Sequence, residues 1–226
     1  MSFLELIQES FPLLMMGMGL TLELSVVALL MAMLIGLGSC LLNISKNRVF
    51  HAVSQGYINI IRGTPLLVQA FFIYFGVTQA IGMRMPAFTA GVIALSLNAG
   101  AYLSEVFRGG IQAVSAGQME AARSLGMPYR TAMLRIILPQ ALRVAIPSIV
   151  NQCCITIKDT SIISVIGLAE LTMRGQQIIA RTYRSFEVWI LVGVLYFIII
   201  YAVTKLSQVM EKRLSLANKG GDQEPS

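Results

Sequence analysis

Long apolar runs separated by short polar segments extend along almost the whole chain. The runs cover about residues 11–42, 53–81, 88–107, 141–165 and 186–206. A helix needs about 20 mostly apolar residues to cross the hydrocarbon core of a bilayer. The pattern therefore predicts an all-α membrane protein with about five transmembrane helices.

The second run contains a glycine and a proline close to its start, Gly63 and Pro65. Proline lacks a backbone N–H and its ring collides with the preceding helical turn, so it bends or breaks a helix. We therefore expect this span to be kinked near Pro65, with Arg62 close to the membrane interface.

Residues 109–139 form the one sizeable polar segment between the runs. Ser115 followed by Gln118 matches a helix capping box, which predicts a helix start. Gly126 is placed to end that helix, and Pro128 suits the first turn of another. The segment is predicted to be a helix-turn-helix lying against the membrane.

Composition and charge agree with a membrane location. The chain is 56% hydrophobic and 12% charged, with a mean hydropathy of +0.73. The net charge of +6 does not indicate nucleic-acid binding, because the basic residues are scattered between the runs. Lys46 and Arg48 directly follow the first run, as is typical of a cytoplasmic loop. We therefore expect the N-terminus outside and the C-terminus in the cytoplasm.

The chain is expected to bind no cofactor or metal itself. Its three cysteines lie within apolar runs without the paired spacing of a metal site, and His51 is the only histidine. The sequence also lacks the G-x-x-x-x-G-K-[ST] phosphate-binding loop. Residues 1–217 are predicted to form a single transmembrane domain, followed by a polar disordered tail, residues 218–226.

One motif in the polar segment points to a family. The pattern EAA-x3-G-x9-I-x-LP is matched in full by Glu120, Ala121, Ala122, Gly126, Ile136, Leu138 and Pro139. It resembles the EAA motif of ABC importer permeases, where it forms the coupling helix that docks on a separate ATPase. The small side chains allow close seating on a partner, and Glu120 offers a carboxylate to a basic group. An ordinary amphipathic interfacial helix is the alternative interpretation.

The resemblance extends over nearly the whole chain. Four segments are similar to the polar amino-acid branch of these permeases: 62–69, 72–76, 98–102 and 158–161. Residues 151–172 most closely resemble the glutamine permeases. Relatives for arginine-like substrates tend to carry an acid near the position of Gln152, so the amide here favours a neutral polar substrate.

This resemblance implies a type I ABC importer fold in the bacterial cytoplasmic (inner) membrane, surrounded by lipid. It implies three protein partners: two copies of an ABC ATPase that bind ATP and Mg, a second permease chain, identical or related, and an extracytoplasmic amino-acid-binding protein. The expected function is translocation of polar amino acids, with glutamine favoured. The permease would make and break no covalent bond, so it is not expected to be an enzyme.

Polar residues inside the predicted spans mark a candidate substrate path, because such groups are costly in lipid unless they face protein or water. The candidates are Asn98, Tyr102 and Glu105 on one helical stripe of the third span and Gln152, Lys158 and Asp159 in the fourth. Asp159 could accept an amino acid's ammonium, Asn98 could donate to its carboxylate, and Gln152 could pair with a side-chain amide.

Other interpretations stay open from the sequence alone. The polar residues can satisfy one another between helices without contacting a substrate. The chain can also be a self-sufficient ion-coupled amino-acid transporter with ion sites at Asp159 and Glu105, although no inverted repeat is visible and the EAA motif argues against it. A structural membrane anchor would leave the polar stripe unexplained. An ABC permease for arginine or glutamate would share both the fold and the motif.

Overall fold

The computed structural model describes residues 3–219, with side chains described over residues 3–208. Within this part the chain is helical and contains no strand, which confirms the all-α prediction. The helices are α1 (Phe3–Asn43), α2 (Arg48–Arg62), α3 (Leu66–Ile81), α4 (Ala87–Ala113), α5 (Ala116–Ser124), α6 (Tyr129–Ile166), α7 (Leu171–Thr182) and α8 (Ser185–Lys219). Apart from residues 218 and 219, which end α8, the predicted disordered tail lies outside the described residues.

Among the described helices, four are long and apolar enough to cross a membrane singly: α1, α4, α6 and α8. Helices α2 and α3 pass the same test only together, as a pair bent by 104°. Counted as one span, this pair brings the total to five. The number agrees with the sequence prediction.

The expected kink in the second span is a full break between α2 and α3. Helix α2 ends at Arg62, Gly63 N–H donates to Asn59 O, and Pro65 has extended backbone angles before α3 begins. The buried side chain of Gln69 covers the break, since its Nε2 donates to Ile61 O at 2.8 Å and to Thr64 O at 3.1 Å. These bonds satisfy carbonyls that the missing helical turn leaves free.

The segment 109–139 is less separate from the spans than expected. Helix α4 continues to Ala113, and the second helix predicted after Pro128 is the first part of α6. Leu138 and Pro139 therefore lie inside the fourth span. A π turn, Met133–Ile137, ends two residues before Pro139, which lacks the backbone N–H that a regular helix would use.

Helices α1 and α4 run parallel in close contact. Gly36 of α1 lies against Leu103, where an added Cβ would be 2.8 Å from the leucine Cβ, and Gly91 of α4 lies beside Leu24. Ser96 also donates to Ala28 O at 3.2 Å. Small residues at such contacts let two membrane helices approach closely.

Helix α6 packs antiparallel on the same α4. At one end Gly110 lies against Ala141, and at the other end Gly91 lies against Ile163. The residues of α4 that face α6 and α1 thus hold three spans together. Glycine is required at these points because a side chain would meet neighbouring backbone or side-chain atoms.

Candidate functional site

Two adjoining cavities lie where the α2–α3 break meets α4 and α6. Cavity A, of about 550 Å³, has the polar lining residues Arg62, Thr64, Asn98, Tyr102, Gln152 and Asp159. Cavity B, of about 510 Å³, has the polar lining residues Arg62, Tyr102, Glu105, Ser148, Asn151 and Gln152. The break in the second span is what exposes Arg62 and Thr64 to this space.

Five of the six residues that the sequence suggested for a substrate path line these cavities. Asn98 and Asp159 line cavity A, Glu105 lines cavity B, and Tyr102 and Gln152 line both. The sixth, Lys158, is exposed and lines neither cavity. Successive side chains on a helix point about 100° apart, so Lys158 and Asp159 face different surroundings.

Asn98 is engaged with a neighbouring helix. Its Nδ2 donates to Oε1 of Gln69 at 3.1 Å, and the Gln69 amide in turn supports the α2–α3 break. At this position, therefore, two polar side chains of different helices satisfy each other, as one of the alternative interpretations expects. The side-chain amide of Gln152 is bound more weakly, because its Nε2 lies 3.5 Å from Thr156 Oγ1, at the limit of a hydrogen bond.

Arg62 is a site residue that the sequence reasoning missed. Its Cζ lies 5.3 Å from the ring centroid of Tyr102, and its Nη1 lies 3.9 Å from Oε2 of Glu105. The sequence pattern predicts only that Arg62 lies close to the membrane interface. An arginine directly before a Gly-Thr-Pro break in an apolar run was the available signal, because the break turns the end of α2 inward.

Glu105 is held from two other directions. Arg108 donates to it twice, from Nη2 at 2.7 Å and from Nε at 3.0 Å. Asn43, at the end of α1, donates from Nδ2 at 3.4 Å and accepts from Gln55 of α2 at 3.0 Å. Glu105 thus joins the ends of α1 and α2 to α4 beside cavity B.

Helix α5 carries Glu120, Ala121 and Ala122 of the EAA motif, and two of the three are exposed on the surface of the chain. Glu120 and Ala121 are exposed, while Ala122 is buried against the rest of the chain. Ser115 caps the helix by accepting from Gly117 N at 3.3 Å, one residue before the position expected for a capping box. The exposed acid and small residue are therefore available for contact with a partner.

The turn after α5 depends on Gly126. Its φ of 82° is left-handed, a region that residues with a side chain rarely adopt. In this conformation Gly126 N donates to Arg123 O and Met127 N donates to Ala122 O, which closes the helix end. Leu125, at the end of α5, is 84% exposed, and Tyr129, at the start of α6, is 56% exposed.

Glu170 is a second residue that the sequence reasoning did not single out. Although fully buried, it caps α7 by accepting from Met173 N at 2.8 Å, and it also accepts from Tyr196 Oη of α8 at 2.8 Å and Thr21 Oγ1 of α1 at 3.4 Å. Burial raises the pKa of the Glu170 carboxyl, while these hydrogen bonds lower it in part. Glutamate is not among the residues preferred at helix N-caps, so no local signal in the sequence identified this cap.

Among the side chains that the structure describes, those of residues 3–208, no group of three His, Cys, Asp or Glu is placed to hold a metal ion. The three cysteines are free, and Cys40 and Cys154 are buried.

The described helices include enough long apolar segments to cross a membrane up to five times, and two cavities with polar lining residues lie among them. Residues 35–216 match the family of binding-protein-dependent transport system inner membrane components. The match covers most of the chain, and the chain belongs to this family.

Curated relatives align over nearly their full length. A nopaline transport system permease protein of Agrobacterium fabrum is 42% identical, over 92% of this chain and 90% of its own. An arginine transport system permease protein of Bacillus subtilis is 37% identical, over 90% of this chain and 93% of its own. A glutamine transport system permease protein of Escherichia coli is 38% identical, over 93% of this chain and 96% of its own.

Solved structures agree with the family assignment. The structure of an amino acid ABC transporter with histidines is 42% identical in sequence and superposes with a TM-score of 0.89. The match covers 94% of this chain and 99% of that one. An inward-facing methionine ABC transporter, 19% identical with a TM-score of 0.77, shares the fold. The expected type I ABC importer fold is confirmed.

Proposed function

We propose that this chain is the permease subunit of an ABC importer that moves polar amino acids across the bacterial inner membrane, with glutamine as the favoured substrate. Cavity A carries this proposal, because it combines a carboxylate, two amides and a cation among membrane-spanning helices. Its volume of about 550 Å³ falls within the range of about 300–1,000 Å³ typical of small-molecule sites.

The substrate contacts follow from what each lining group offers. Asp159 accepts the ammonium of an amino acid, and Gln152 pairs with a side-chain amide through both its donor and its acceptor. Tyr102 and Glu105 line the onward route into cavity B. Asn98 supports the α2–α3 break through its hydrogen bond to Gln69, and Lys158, which lines neither cavity, is assigned no substrate contact.

The choice of glutamine rests on Gln152 and on the relatives. Named relatives include permeases for nopaline, arginine and glutamine, all at similar identity. A neutral amide at Gln152 provides no charge to balance a guanidinium or a second carboxylate. A neutral polar substrate therefore fits this lining better than arginine or glutamate does.

The energy source lies on other subunits. Two ABC ATPase subunits bind ATP and Mg, and α5 docks on one of them through Glu120 and the neighbouring alanines, while Gly126 sets the turn. Leu138 and Pro139 lie within α6, which joins this docking element directly to the fourth span. The permease itself catalyses no reaction.

The assembly needs two further proteins. A second permease chain, identical or related, completes the translocation path, and an extracytoplasmic amino-acid-binding protein delivers substrate. In this arrangement the N-terminus lies outside, and α5 and the C-terminus lie in the cytoplasm. The parallel course of α1 and α4, with α6 antiparallel to both, fits alternating spans. The direction of the whole is proposed from Lys46 and Arg48, which follow the first span as in a cytoplasmic loop.

The test is ATP-dependent uptake of labelled glutamine, arginine and glutamate by the chain reconstituted with its ATPase and binding protein. We expect glutamine uptake that requires ATP and is lost in Glu120→Arg. Uptake of arginine alone would refute glutamine as substrate while keeping the class. Uptake without ATP would refute the class in favour of an ion-coupled transporter.

A further inference from the structure

Arg62 occupies the junction between the two cavities. Arg62 and Tyr102 line both cavities, as do Gln152 and Ile155. Arg62 is the one cationic residue among the lining residues of either cavity, and each cavity has one carboxylate, Asp159 in A and Glu105 in B. A single guanidinium therefore lies between two acids at the meeting point of the cavities.

We propose that Arg62 gives up its contacts with Glu105 and Tyr102 and binds the α-carboxylate of the substrate in cavity A, which Asp159 also lines. This inference rests on the proposed function, since it assumes a zwitterionic amino acid in the cavity. A guanidinium presents a planar pair of N–H donors that matches both oxygens of a carboxylate. Arg62 and Asp159 together provide one charge of each sign, as the two ends of a free amino acid require.

The amide first expected to serve the carboxylate is a poorer candidate. Asn98 is buried, and its Nδ2 already donates to Gln69 at 3.1 Å. Turning it toward a substrate would also remove a bond from the residue that covers the α2–α3 break. Arg62 carries a full charge and has 43% of its side chain exposed.

Arg62 contacts Glu105 more weakly than Arg108 does. Its nearest approach to Glu105 is 3.9 Å, whereas Arg108 makes two hydrogen bonds to the same carboxylate at 2.7 and 3.0 Å. Departure of Arg62 therefore leaves Glu105 neutralised by Arg108, without an unpaired charge. The stacking on Tyr102, at 5.3 Å, is the other contact that the substrate must replace.

The position of Arg62 in the chain suits such a movement. It is the last residue of α2, and Gly63 and Thr64, which follow, lie in the break and are exposed. A side chain at a helix end next to a break is less restricted by neighbouring turns than one within a helix. Arg62 is thus a specificity-determining residue that selects substrates with a free α-carboxylate.

The experiment measures equilibrium binding of labelled glutamine to the assembled permease–ATPase complex without the binding protein, with competition by glutamine α-amide, which lacks the carboxylate. We expect the wild type to prefer glutamine to the α-amide by at least about tenfold, as a charge-assisted pair implies. In Arg62→Gln the preference should fall to near unity. The matched control is Arg84→Gln, an exposed arginine of the α3–α4 loop that lines neither cavity.

A second variant tests the exchange of partners. Tyr102→Leu removes the ring on which Arg62 stacks, so glutamine should bind about twofold to fivefold more tightly while the preference over the α-amide is kept. If Arg62→Gln fails to assemble, Arg62→Lys takes its place. Its preference for glutamine over the α-amide should fall between that of the wild type and unity, because lysine keeps the charge but lacks the planar pair of N–H donors.

The outcomes separate this inference from the proposed function. An unchanged preference in Arg62→Gln or Arg62→Lys, or weaker glutamine binding in Tyr102→Leu, would overturn the role of Arg62 while uptake by the wild type still supports the importer. Failure of the wild type to bind or take up any amino acid would overturn both.

Discussion

The close contact between α1 and α4 is tested by adding one methyl group at Gly36. In Gly36→Ala the new Cβ would lie 2.8 Å from Leu103 Cβ, 3.0 Å from Gly100 O and 3.2 Å from Ser104 N. Two of these atoms belong to the backbone of α4, so the methyl cannot be accommodated by a side-chain rotation. Forcing extra volume into a packed contact costs about 1–3 kcal/mol.

Gly38 provides the matched control on the same helix, two residues away. An added Cβ there meets no atom within 4 Å. Both substitutions replace glycine by alanine within a helix and gain the same intrinsic helix propensity, about 1 kcal/mol. The difference between the two variants therefore isolates the packing cost, and we expect Gly36→Ala to be the less stable by about 1–3 kcal/mol.

The assay is thermal unfolding of both variants and the wild type in the same detergent. For a chain of this size each kcal/mol shifts the midpoint by about 2–4 °C. Gly38→Ala should unfold at or slightly above the wild-type temperature, and Gly36→Ala clearly below Gly38→Ala. Equal midpoints for the two variants would refute the packing of α1 on α4 described above.

Three further predictions concern the end of α5, the helix proposed to dock on the ATPase, and the buried Glu170. Gly126→Ala places a side chain at a φ of 82°, which costs about 1–2 kcal/mol, so ATP hydrolysis stimulated by liganded binding protein should fall, and less so in Gly126→Asn. Leu125→Ser removes an apolar side chain that is 84% exposed at the end of the proposed docking helix α5, so ATPase co-purification should fall while the permease's unfolding midpoint stays unchanged. An unchanged yield would contradict a role of Leu125 in docking. Because burial raises the pKa of Glu170, its contribution to stability is greatest below its unfolded-state pKa and is lost as the pH rises through the folded-state pKa. Unfolding midpoints over a pH series should show this loss in the wild type and not in Glu170→Gln; the same loss in both would contradict it.

Much of the fold follows from local pattern. The five apolar runs, the break at Pro65 and the turn at Gly126 were all predictable, because span length, the missing proline N–H and the left-handed glycine act over a few neighbouring residues. The extent of the break was not predictable, since Gln69 stabilises it through carbonyls on the far side of the turn. That α6 continues through Pro139 was also not predicted, because a π turn just before the proline lets the helix continue without the missing backbone hydrogen bond.

The sequence by itself determined the family and a set of polar residues that cannot face lipid, since a complete motif and the cost of burying polarity in a membrane require no coordinates. Tertiary structure decided which of them meet. It brings Arg62 from a helix end to the junction of two cavities, leaves Lys158 outside them, and buries Glu170 between three helices. These outcomes depend on the rotation and crossing of helices distant in sequence, which the packing of α1, α4 and α6 sets and which no local pattern encodes.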